Sequence, residues 1–89
     1  MDVSIVMPVY NEREAIRESL GRVLETGIPG EIIIVDDGSV DGTREVLKDI
    51  EQTHDDVCVL KVVYQVKNQG KGAAVRRGFQ EVSSSIVII

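Results

Sequence analysis

Tryptophan is absent from this 89-residue chain, phenylalanine occurs once and tyrosine twice, so aromatic residues amount to 3%. A surface that binds nucleic acid by stacking bases needs more rings than this. The single cysteine, Cys58, excludes an internal disulfide and any cysteine-based zinc site. It stands in an apolar run and reads as a small packed hydrophobe. Unbroken apolar runs reach only four residues, as in Ile32 to Val35 and Ile86 to Ile89, against the roughly 20 needed to cross a bilayer. The opening "MDVSIV" has neither the basic region nor the long apolar stretch of a signal peptide. The chain therefore reads as cytosolic, or as a cytosolic piece of something larger. Its length sets one small domain as the ceiling.

What is present is globular in composition, 43% hydrophobic and 28% charged. Charge is unevenly spread. Residues 1 to 56 hold 14 of the 15 acids and five of the ten bases, which leaves −9 there. Residues 57 to 80 hold Lys61, Lys67, Lys71, Arg76 and Arg77 and no acid. This stretch is either a solvated basic face or a local attraction for phosphate in an acidic protein. So short a basic stretch is a poor footprint for nucleic acid, which is excluded as a partner.

Hydrophobic periodicity orders the chain. "VSIVMPVY" is an apolar run interrupted by Pro8, which predicts a strand ending near Met7. Asn11 followed by Glu14 resembles a capping box, and Ala15, Ile16, Leu20, Val23 and Leu24 repeat at helical spacing up to Gly27. "EIIIV" does not alternate, as expected of a strand covered on both faces. Val46, Leu47 and Ile50 mark a second helix, capped by Asp41 or Ser39. "VCVLKVVYQV", residues 57 to 66, is a third strand, with Lys61 and Gln65 suiting an edge. Val75, Gly78, Phe79 and Val82 give a third helix, and "SIVII" a fourth strand. The pattern β-α-β-α-β-α-β predicts an α/β fold: a Rossmann-like parallel sheet of four strands with three helices. Such sheets bind ligands beyond the carboxyl ends of their strands. "PVYNE", "VDDGS" and "KNQGKG" all fall there.

Two common phosphate-binding loops fail on inspection. "QGKGA" has the Gly-Lys of a Walker A loop but neither the hydroxyl residue nor the earlier glycine. The first strand runs into "PVYNER" where a dinucleotide fold needs a glycine-rich turn. A phosphoacceptor receiver domain would carry its acidic pair after the first strand, whereas Asp36 and Asp37 follow the second. A nucleotidyltransferase would carry a Gly- and Arg-rich loop after its first strand, and "PVYNERE" has no glycine.

"SIVMPVYNERE", "EIIIVDDGSVDGT" and "NQGKGAAVRRGF" together resemble the start of a family 2 glycosyltransferase of the GT-A fold, with the dolichyl- and polyprenyl-phosphate sugar synthases nearest. The resemblance spans essentially the whole chain, which it implies is the N-terminal half of that fold. It implies a nucleotide-diphospho-sugar donor, with Pro8 and Tyr10 lining a base pocket and Glu12, Val35 and Asp37 contacting the nucleotide. A phenol ring offers a flat face to a base, and a carboxylate can accept from a base N–H. Each residue also has a plainer explanation. Tyr10 can be a half-buried ring at a strand end, and Glu12 an acid favoured by a helix N-terminus. Lys71, between Gly70 and Gly72 at a helix start, could meet a diphosphate or be simply solvated. Asp41 and Gly42 read as helix cap and turn, His54 as an exposed loop residue without a role, and Asp36 takes no assignment.

The family's metal-binding Asp-x-Asp follows its fourth strand, so Mg²⁺ or Mn²⁺ ligands, the acceptor half and any catalytic base are expected beyond Ile89. On this reading the chain is the nucleotide-binding portion of a longer enzyme, either cytoplasmic or held at a membrane through later parts. That parent transfers sugar with inversion to a polyprenyl phosphate or a hydroxyl acceptor; residues 1 to 89 alone are expected to be inactive. A second expectation is a non-catalytic nucleotide-binding or oligomerisation module, its apolar last strand pairing copies into a homo-oligomer.

Overall fold

A computed structural model describes residues 3–54, 58–83 and 86–88. In chain order the elements are β1 (Val3–Val9), α1 (Ile16–Glu25), β2 (Glu31–Asp36), α2 (Thr43–Thr53), β3 (Val59–Tyr64), α3 (Lys71–Phe79) and β4 (Ile86–Ile88). The sheet is parallel, in the order β3-β2-β1-β4. Three strands of six or seven residues form its body. Among the described residues the fourth comprises Ile86–Ile88, paired with Val3, Ser4 and Ile5. Ser85 and Ile89, assigned to that strand from sequence, lie outside the described residues.

The order of strands follows from right-handed crossovers. Moving from β1 to β2 to β3 puts α1 and α2 on one face, and the return from β3 to β4 puts α3 on the other. β2, central and covered on both sides, is buried at all six positions. Its alternation divides the core. Ile32 and Ile34 pack with Ile16, Leu20, Leu47 and Ile50 of α1 and α2, while Ile33 and Val35 pack with Ala74 of α3. Burying each such side chain contributes about 1.5–3 kcal/mol.

Pro8 does not end β1, which runs on to Val9 with Pro8 opposite Val35. The Val3 and Val9 carbonyls accept from Gly30 and Asp37 on the β2 side. Alternation therefore turns residue 8 toward the other side, where its missing N–H breaks no bond to β2. Helix α1 starts at Ile16, not after an Asn11 cap, and Ala15 at its N-cap makes no side-chain cap bond. β3 is shorter than the apolar run suggested: Gln65 and Val66 leave the strand, and Val57 is outside the described residues. β3 does lie at the sheet edge. Phe79, placed by its spacing on the packed side of α3, is 45% exposed. Gly78 takes the close contact instead: a Cβ there would overlap Val6 Cγ1 and sit 3.4 Å from Val35 Cγ2.

At the amino end of the sheet, buried Glu31 ties three elements together. It accepts from Ser4 Oγ at 2.6 Å, the Ser83 amide at 3.0 Å and Ser83 Oγ at 2.8 Å, and pairs with Lys61 Nζ at 2.9 Å. Burial alone would raise its pKa, but these donors outweigh it and hold the carboxyl at about 2. Lys61, expected as an exposed edge lysine, is thus committed to the fold.

Candidate functional site

The carboxyl ends of the three long strands are joined by side chains reaching from loop to loop. After β2, residues 39 to 43 present three oxygens to the backbone that follows β1. Ser39 Oγ accepts the Asn11 amide at 2.8 Å, Thr43 Oγ1 the Glu12 amide at 3.0 Å and Asp41 Oδ2 the Arg13 amide at 3.3 Å. Asn11 Oδ1 in turn accepts from the Val40 amide at 2.9 Å. To do this Asn11 adopts φ +50°, a left-handed conformation that asparagine tolerates better than most residues. The motif "GSVDGT" is therefore a zipper that orients residues 11 to 13. Asp41 also accepts from the Thr43 amide at 3.0 Å and the Thr43 hydroxyl, which holds its carboxyl below the usual range.

Asp36 and Asp37 point to opposite faces of the sheet, as successive strand residues must. Asp36, fully buried, faces α2. Its Oδ2 accepts Arg44 Nε at 2.8 Å and the Ser39 amide at 3.2 Å, while Oδ1 has no partner. Asp37, 3% exposed, faces α3. It accepts Gln65 Nε2 and the Gln69 amide at 2.8 Å each, and the Gly70 amide at 2.9 Å. Gly38, at φ +75°, lets this turn lie against the next loop; a Cβ there would come within 2.8 Å of Lys67 Cα and closer still to the Asn68 amide nitrogen.

These contacts frame a cleft of about 600 Å³ beside the end of β1. Of the residues singled out from sequence, Pro8, Tyr10, Glu12, Asp37 and Lys71 line it, together with Asn68 and Gly70. Val35 does not: its side chain is fully buried under α3 with Ile33 and Ala74. Strand alternation decides this, since Val35 and Asp37 share a face and α3 covers the first of them. Tyr10 is 46% exposed. Among the described residues, the Glu12 carboxylate and the Lys71 ammonium have no hydrogen-bonding or ion-pair partner. The cleft thus offers an aromatic face, an uncommitted acid and an uncommitted base, the last at the N-terminus of α3.

Of the other basic residues in the 57–80 stretch, Lys61 serves Glu31 and Arg77 pairs with Glu81 at 3.2 Å. His54, expected as an exposed loop residue, is partly buried, its Nε2 2.9 Å from the Cys58 carbonyl. Sequence reasoning gave no site role to Thr43 or Arg44, and read Ser39 only as a possible helix cap and Gln65 only as an edge residue. The one local signal was the density of short polar residues between two apolar elements.

Among the described residues no group of three or more His, Cys, Asp or Glu side chains could hold a metal ion. The adjacent aspartates are spent on Arg44 and on backbone amides. These residues by themselves do not fit a divalent cation. No helix among them is long and apolar enough to cross a membrane.

Comparison with known proteins places this geometry. The profile described as "Glycosyl transferase family 2" matches residues 4–89. Dolichol-phosphate mannosyltransferase of Pyrococcus furiosus is 35% identical over the whole chain, which covers 25% of that protein. Undecaprenyl-phosphate 4-deoxy-4-formamido-L-arabinose transferase of Pectobacterium carotovorum is 38% identical over 98% of the chain and 27% of its own length. Among solved structures, the mannosyltransferase PcManGT from Pyrobaculum calidifontis, in complex with GDP-Man and Mn²⁺, superposes with a TM-score of 0.86 at 30% identity. That match covers 96% of this chain and 25% of the other. The chain thus spans about a quarter of the length of the proteins it matches.

Proposed function

The chain belongs to glycosyl transferase family 2, and on that premise we propose that residues 1 to 89 form the donor-binding portion of a sugar transferase, with the cleft beside β1 receiving a nucleotide diphospho-sugar. The observation that carries this reading is the convergence of Tyr10, Glu12, Gly70 and Lys71 on one cleft. The likeness to a structure holding GDP-Man supports it.

Each group has a distinct task. The Tyr10 ring gives a base a flat apolar face, beside Pro8. Glu12, uncommitted, accepts from base or ribose donors. Gly70 and Lys71 open α3, where backbone N–H groups, the helix dipole and an ammonium all favour a diphosphate. Asp37 enters chiefly as the post that holds Gly70 in place, since three donors already occupy its carboxylate. Transfer needs stabilisation of the departing nucleoside diphosphate, and a divalent cation supplies it in many phosphate sites. Its ligands are not among the described residues. The relatives' names support a polyprenyl phosphate as acceptor in the whole protein.

Titration with GDP and with UDP, each with and without Mn²⁺, tests the reading by backbone-amide NMR. Shifts clustered at Tyr10, Glu12, Gly70 and Lys71 are the expected result, and the tighter ligand identifies the base. Saturable binding that moves other residues, or no binding of either nucleotide, would overturn it.

A further inference from the structure

Arg44 lies outside the cleft, on the first turn of α2, yet both groups it hydrogen-bonds lead there. Its Nε donates to buried Asp36 at 2.8 Å, and its Nη2 donates to the Gln65 carbonyl. The Gln65 amide in turn donates to the Asp36 carbonyl at 2.9 Å. The side chain of the same glutamine donates to Asp37, which holds the Gln69 and Gly70 amides. The guanidinium is also 5.7 Å from the centre of the Tyr64 ring, whose hydroxyl donates to Glu51. An unbroken series of bonds thus runs from α2, through the ends of β2 and β3, to the start of α3.

We infer that Arg44 is a positioning residue for the diphosphate end of the cleft, acting through Asp36, Gln65 and Asp37 on Gly70 and Lys71. The inference rests on the donor-binding reading above. A guanidinium suits the task because one rigid fork reaches two acceptors at once. The cost supports a purpose beyond folding. Asp36 is a wholly buried carboxylate with one oxygen unpartnered, and such ion pairs add little net stability over neutral groups of similar shape. What the pair does fix is where residue 65 leaves β3, and with it the path of residues 65 to 70.

Arg44→Gln alone would strand a buried charge, so Asp36→Asn and Arg44→Gln are introduced together. Gln65→Ala, which leaves the ion pair intact, is the second variant. Binding of GDP, GMP, UDP and UMP is measured for each, beside urea unfolding. The expected result is about a tenfold or greater loss of affinity for the diphosphate that the unaltered protein prefers. The matching monophosphate should change far less. Displaced Gln69 and Gly70 amide resonances in the ligand-free variants should accompany this. Equal losses for diphosphate and monophosphate in both variants, or no loss in either, would overturn the positioning role and leave the donor reading standing. An unaltered protein that binds none of the four would overturn both.

Discussion

The Asp37 carboxylate receives the Gly70 amide at 2.9 Å, binding the end of β2 to the first residues of α3 across 33 positions of sequence. With the Gln69 amide and the Gln65 side chain on the other oxygen, this one side chain sets the floor of the cleft. Asp37→Asn replaces an acceptor oxygen with an N–H₂ group facing donors. A hydrogen bond to a charged group contributes about 1.5–3 kcal/mol, so the variant should lose about 2 kcal/mol in urea unfolding. Its nucleotide affinity should fall as well. Unchanged stability would show that the carboxylate does not hold the loop.

Gly38→Ala should be among the most damaging single changes in the chain. The residue sits at φ +75°, and an added Cβ meets the backbone of Lys67 and Asn68, not a movable side chain. The left-handed conformation and the overlap each cost on the order of 1–3 kcal/mol. A urea midpoint within error of the unaltered protein would show that the two loops are not packed as described.

Gly78→Ala should destabilise by about 1–3 kcal/mol through overlap with Val6 Cγ1. Here the obstacle is a side chain, so Val6→Ala should relieve part of the cost. The double variant is expected to be more stable than the sum of the single losses predicts, a coupling that a double-mutant cycle measures. Strict additivity would place α3 farther from β1.

Stability should fall in acid through Glu31. Its folded pKa, about 2, lies below the ordinary 4.5. A depressed carboxyl pKa stabilises the fold above the unfolded value, and the benefit disappears as pH falls toward the folded one. The full contribution is on the order of 3 kcal/mol, of which about 2 kcal/mol is gone by pH 3. Urea unfolding of the unaltered protein and of Glu31→Gln, at pH 6 and pH 3, should show their difference shrinking by that amount. A constant difference would mean that the donors around Glu31 do not favour its charged form.

The order of elements, the burial of β2 on both faces and the crowding of unusual residues at the strand ends were all determined by sequence. Those properties depend on periodicity and composition within about ten residues, which local chemistry dictates. Family membership was legible for a similar reason, because three motifs stand in order at fixed spacings. The partners of the motif residues were not. Pro8 looks like a strand breaker until pairing shows that its missing N–H faces away from β2. Asn11 looks like a helix cap until the loop after β2 is laid beside it. Asp36 and Asp37 are adjacent and identical in kind, yet one meets Arg44 and the other the start of α3. Strand alternation sends them to opposite faces, but only the right-handed crossovers decide which helix covers each face. That assignment, and with it the division between a carboxylate that anchors Arg44 and one that shapes the cleft, belongs to the tertiary structure.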